Sequence, residues 1–112
     1  MNTQLKEPVR RIIELLANQK YSELESLTKG VRLSAQDIAE AVAAYKRIIV
    51  VPPENAYDLM DVVEVRGSKP KKWSVTMPLW TKEEGRSDLS IELTIIQHAE
   101  DFEIELDDLH VL

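Results

Sequence analysis

The sequence predicts an α+β fold, N-terminal helices packed on a curved antiparallel sheet, and three observations predict it. Apolar residues recur at helical spacing up to Tyr45, and they alternate with polar ones at strand spacing from Lys72 onward. Between the two regimes stands a Pro52-Pro53 stop. The 112 residues make one domain, because a cut at Pro52-Pro53-Glu54-Asn55 would leave two pieces too small for separate cores.

The elements follow in order. Val9, Ile12, Ile13 and Leu16 recur at i, i+3, i+4 and i+7 with Arg10, Arg11 and Glu14 between them, which predicts an amphipathic first helix. Pro8 is expected in its first turn, where no backbone N–H is needed. A second helix is predicted over Tyr21 to Thr28, with Ser22 as cap and Gly30 as a left-handed stop. Ser34 lies three residues before Asp37, a capping box with a shortened acid, and Ile38, Ala41, Val42 and Tyr45 then line one face of a third helix. Ile48 to Val51 is β-branched throughout and reads as a short extended segment.

A meander of about four strands follows. The first is predicted around Met60 to Arg66 and turns at Gly67-Ser68-Lys69-Pro70. In Lys72 to Leu79, Trp73, Val75, Met77 and Leu79 face one way and Lys72, Ser74, Thr76 and Pro78 the other. Pro78 cannot donate to a ladder, so that strand is expected to be an edge or to be bulged there. Leu89, Ile91, Leu93 and Ile95 alternate with Ser90, Glu92 and Thr94 within Ser87 to Gln97, and Phe102, Ile104 and Leu106 alternate with Glu103 and Glu105 in a last run.

Composition narrows the function. Without cysteine there are no disulfides, thiolate metal sites or cysteine nucleophiles, as suits a cytoplasmic protein. The segment from Met1 to Pro8 lacks the apolar core of a signal peptide, and no apolar run approaches the roughly 18 residues of a membrane span. Residues 1–50 hold eight basic and six acidic side chains, whereas residues 51–112 hold six basic and fourteen acidic ones. From Gln97 to Leu112 there are six acids and no Lys or Arg. Such a half is not expected to bind nucleic acid directly, which requires cations to meet phosphates, and its natural complement is a basic protein.

Helices followed by a strongly bent sheet in a little over a hundred residues resemble the layout of the cone-shaped nuclear-transport-factor-2-like fold. More specifically, the run from Pro78 to Leu93 (PLWTKEEGRSDLSIEL) and the terminal Asp107-Asp108-Leu109-His110-Val111-Leu112 resemble a small bacterial family, some of whose members are similar to immunity proteins of contact-dependent growth inhibition systems. The resemblance implies a non-enzymatic immunity protein that neutralises a cognate toxin, such as a nuclease, by occluding its active or substrate-binding surface. It supplies no catalytic residue.

The candidate partner-binding residues are Trp80, Glu83, Glu84, Arg86 and Asp88 in the charged loop, with Glu103, Glu105, Asp107 and Asp108 near the C-terminus. Glu83, Glu84 and Asp88 would meet basic side chains, and Trp80 is an anchor of the type enriched in binding hot spots. The alternative for the loop is a plain hairpin connection in which Arg86 pairs with Asp88 or a neighbouring carboxylate. For the acidic tail it is a solvated strand face. His98 and His110 show no metal-ligand spacing, so neither a metal nor another cofactor is expected, and structural or surface roles are the reading for both. Asp58, Asp61 and Glu64 form an acidic patch or a weak site for a hard cation if helical, and scatter over two solvated faces if the Val62-Val63-Val65 stretch is a strand. A different class, a small-ligand or isomerase-like module, would enclose a pocket lined by Tyr45, Tyr57, Trp73, Met77 and a buried acid or His. A homodimer paired through a strand edge is a third possibility.

Overall fold

The computed structural model describes residues 3–111. Met1 and Asn2, from the N-terminal segment read above, and Leu112, from the terminal run, lie outside the described residues. Helix α1 spans Thr3–Ala17, longer at its start than the periodicity from Val9 implied. Leu5, one turn before Val9, is fully buried with Val9, Ile12 and Leu16, and this contact draws the helix back past Pro8. Pro8 therefore sits inside α1 and not in its first turn, and the backbone there lacks one i→i−4 hydrogen bond.

Helix α2 spans Tyr21–Thr28. Its N-cap is Lys20, with no side-chain cap bond, so Ser22 does not cap it. The left-handed stop begins at Lys29 (φ 60°) and continues through Gly30 (φ 59°), whose N–H reaches the carbonyl of Glu25 at 3.0 Å. Helix α3 spans Ala35–Tyr45 and carries the expected capping box. The Asp37 N–H donates to Ser34 Oγ at 3.1 Å, and the Ser34 N–H donates to the Asp37 carboxylate at 3.0 Å.

The sheet has five antiparallel strands: β1 (Ile49–Val50), β2 (Asp61–Glu64), β3 (Lys72–Thr81), β4 (Gly85–Gln97) and β5 (Phe102–Val111), with a 3₁₀ helix at Glu54–Leu59 between the first two. The short β1 and β2 share one side of β3: β1 pairs with Trp80 and Thr81, and β2 pairs with Trp73 to Thr76. Even-numbered residues of β3 direct their backbone groups to that side, as the bond from Val65 N–H to the Lys72 carbonyl shows. Pro78 thus turns its donor-less nitrogen into the gap between β1 and β2, which is how proline is tolerated within a central strand. On the other side the β3–β4 register shifts between Pro78 and Trp80. There Ser87 Oγ donates to the Leu79 carbonyl at 2.9 Å and accepts from the Leu89 N–H at 3.2 Å, replacing ladder bonds that the irregularity removes.

The helices cover the face lined by Trp73, Val75, Met77, Leu79, Ile91, Leu93, Ile95, Ile104 and Leu106, all of them buried. Against it pack Leu5, Val9, Ile12, Ile13 and Leu16 of α1, Leu24 of α2 and Ile38 of α3. No helix among the described residues is long and apolar enough to cross a membrane.

One ion cluster fixes α1 to the 3₁₀ helix. Both terminal nitrogens of Arg10 donate to the Glu54 carboxylate at 2.7 Å, Lys6 Nζ lies 3.0 Å from it, and the Arg10 guanidinium stands over the Tyr57 ring. The Arg10 hydrogen bonds, with help from Lys6, hold the Glu54 carboxyl down from its ordinary 4.5 to about 2. Because the folded value lies below the unfolded one, this contribution to stability is complete above pH 4.5 and fades as the pH falls toward 2. The stability difference between wild type and Glu54→Gln, measured by urea unfolding, should be full near neutral pH and shrink progressively below pH 4.5. An equal difference at acidic and neutral pH would show that the cluster is not its source.

Candidate functional site on the open face of the sheet

The β3–β4 turn is tied to the body by its acids. The Glu83 carboxylate accepts the Ile48 N–H at 3.0 Å, and the adjacent Lys82 N–H donates to the Ile48 carbonyl at 2.8 Å. The first of these bonds holds the Glu83 carboxyl below its usual range. Glu84 accepts from the Tyr45 hydroxyl at 3.0 Å and from Thr81 Oγ1 at 3.1 Å, while its own N–H donates back to Thr81 Oγ1 at 3.0 Å. Trp80 is half-buried and packs against the core. Glu83, Glu84 and Trp80 therefore hold the hairpin, although both acids remain exposed. Arg86 does not do so: no ion pair joins it to Asp88 among the described residues, and the turn is ordered by Thr81, Glu83 and Glu84 instead.

Arg86 and Asp88 lie on the uncovered face, where with Leu59, Asp61, Thr76, Pro78, Ser87 and Ser90 they line a cleft of about 340 Å³. Trp73, Tyr57 and Met77, the residues expected around an internal pocket, are instead buried in the helix–sheet core. Tyr45 is bonded to the turn.

Most of the remaining acids share that uncovered face. Strand register places Asp61, Thr76, Glu92 and Asp108 in one row across β2, β3, β4 and β5, three carboxylates among four side chains. Glu105 lies beside this row, opposite Thr94, and Glu103 lies further along, opposite Ile96. Glu103 is the most engaged of these acids: His98 Nε2 is 2.9 Å away and Lys29 Nζ 3.9 Å away, and these two groups hold its carboxyl below the usual range. Asp107 accepts from Thr94 Oγ1 at 2.6 Å and faces Arg32 at 3.9 Å. Asp61, Asp88, Glu92, Glu105 and Asp108 have no Lys or Arg within 4.0 Å among the described residues. Asp58 is exposed on the 3₁₀ helix, and Asp61 and Glu64 take opposite faces of β2, so these three form no patch.

A β-bulge completes the face. Leu93 pairs with Leu106 and Glu92 with Asp108, so Asp107 is an extra residue in β5. Beyond it Asp108 and His110 return to the open side: Glu92 stands opposite Asp108, and Ser90 opposite His110. His110 Nδ1 lies 3.0 Å from Glu92 Oε2 and 3.4 Å from Asp108 Oδ2. This grouping has no counterpart in linear spacing, because its members come from two strands and meet only through register.

Fold and site together define a small helix-backed antiparallel sheet with an acidic open face. Residues 13–112 match the family described as Domain of unknown function (DUF7668), and the chain belongs to that family. Comparison with curated proteins and with solved structures gave no match.

Proposed function

We propose that this protein is a non-enzymatic binding protein that neutralises a basic partner, acting as an immunity protein toward a cognate toxin. The observation that carries the reading is the row of Asp61, Glu92 and Asp108 across the open face, extended by Asp88 and Glu105, none of which has a Lys or Arg within 4.0 Å among the described residues. An array of carboxylates on a rigid sheet favours a cationic surface, raises the encounter rate and opposes phosphate-bearing ligands. If the toxin is a nuclease, the groove with which it holds its substrate is such a cationic surface, and covering it would keep nucleic acid out. Glu83 and Glu84 take part less directly, by holding the turn that borders the cleft.

The test begins with capture of partners from a native lysate at low and moderate salt. The captured basic protein is then titrated against wild type and the double variant Asp88→Lys/Glu105→Lys. Loss of affinity by at least about tenfold, a shallower salt dependence and an unchanged melting temperature are expected. Equal affinity and equal salt slope would remove the open face from the interaction. A second reading, a small-ligand module, is favoured by the cleft, in which Arg86 stands beside Asp61 and Asp88 and beneath which Ser90 is 1 % exposed.

A further inference from the structure

We propose that Glu92, Asp108 and His110 bind a divalent cation of the zinc class at the β4–β5 seam. The ligand atoms, one imidazole nitrogen and two carboxylate oxygens, all lie within 4.8 Å of one another. Ligands about 2.1 Å from a common ion stand about 3.0 Å apart at a right angle and about 3.4 Å apart at the tetrahedral angle. The separations from His110 Nδ1, 3.0 Å to Glu92 and 3.4 Å to Asp108, fall in the range that a shared ion allows.

Two further observations point to a ligand and not to a closed set of ion pairs. His110 Nδ1 is shut off from solvent and yet makes no hydrogen bond, although a carboxylate oxygen lies 3.0 Å away. The short contact with Glu92 therefore does not satisfy the ring nitrogen as a hydrogen bond, and a cation between the two would. Ser90, directly opposite His110 on the same face, is 1 % exposed and its Oγ has no partner. A buried hydroxyl of this kind is costly unless satisfied, and a water in the fourth position of the ion would satisfy it.

The ligands are also held in place. Asp108 Oδ1 accepts the Leu109 N–H at 2.9 Å, leaving Oδ2 for the site. The bulge at Asp107 and the pairing of Glu92 with Asp108 set the two carboxylates side by side. One imidazole with two carboxylates suits zinc, cobalt or manganese, whereas magnesium and calcium prefer oxygen throughout. Through Ser90 the fourth position adjoins the cleft of about 340 Å³, so a bound ion would present a Lewis-acidic position to whatever enters it. A bound ion would neutralise Glu92 and Asp108 and leave Asp61, Asp88 and Glu105 to carry the immunity reading, and Asp88→Lys/Glu105→Lys and His110→Ala test the two readings separately.

The experiment titrates zinc chloride into the full chain, first stripped with a chelator, by calorimetry in a non-chelating buffer. One saturable site is expected, with Glu92→Gln and His110→Ala each weakening it at least about tenfold. His98→Ala should leave it unchanged, and neither magnesium nor calcium should compete. In the wild-type chain, cobalt should give a visible absorption band that zinc abolishes, a readout that needs no variant to fold. Absence of saturable binding, or binding that survives His110→Ala in a folded chain, would overturn the proposal and leave Glu92, Asp108 and His110 as an ordinary ion cluster.

Discussion

Leu93→Ala should destabilise the protein by about 3–5 kcal/mol, the upper part of the range for a buried leucine truncated to alanine. Leu93 is fully buried at the centre of β4, paired with Val75 on one side and Leu106 on the other, beneath the helices. Both flanking strands are fixed by ladder bonds, so the walls of the new cavity cannot close, and the cavity cost adds to the lost transfer energy. For a chain of this size each kcal/mol lowers the melting temperature by about 4 °C, which gives an expected fall of about 12–20 °C. Total stability of such a domain is on the order of 5–15 kcal/mol, so the variant loses a large part of its margin. Val63, 57 % exposed on β2, is the control, and its change to alanine should stay within about 0.5 kcal/mol. Similar losses at the two positions would mean that the helices do not seal the Leu93 face.

The contrast between Leu93 and Val63 marks what could be read along the chain. Where burial on one face repeats with a fixed period, the period shows in the residues. Trp73-Val75-Met77-Leu79 and Leu89-Ile91-Leu93-Ile95 were legible for that reason, and Ser34 with Asp37 announced the start of α3. Legibility ended where tertiary contact overrides the period. Leu106 and Leu109 are three apart and break the alternation, so β5 read as ending at Leu106, whereas the bulge at Asp107 absorbs the extra residue and carries the strand to Val111. The roles of Glu83 and Glu84 were hidden likewise, because their partners Ile48 and Tyr45 lie 35 and 39 residues earlier. The grouping of His110 with Glu92 and Asp108 depends on both the bulge and the strand register. Charge composition located the acidic half correctly, but only the register showed which acids share a surface and which, like Glu103, are already engaged.

Pro8→Ala should stabilise the protein, by about 1–2 kcal/mol. Inside a helix, proline removes one backbone hydrogen bond and crowds the carbonyl four residues back, at a cost of about 3 kcal/mol. That carbonyl belongs to Gln4, an exposed residue, so water can satisfy part of what is lost. Proline also restricts the unfolded chain, and giving up that restriction returns about 0.4–1 kcal/mol to the unfolded state. The balance still favours alanine, because α1 continues to Thr3 and Leu5 is buried in the core one turn before Val9. Urea unfolding should show a higher midpoint with the same slope. The opposite sign has a definite meaning: if α1 began at Pro8, proline would occupy the first-turn position it prefers, and alanine would be neutral or harmful. Leu5→Ala separates the two arrangements from the other side. It should cost about 2–5 kcal/mol if Leu5 fills the core, and almost nothing if the helix starts after it.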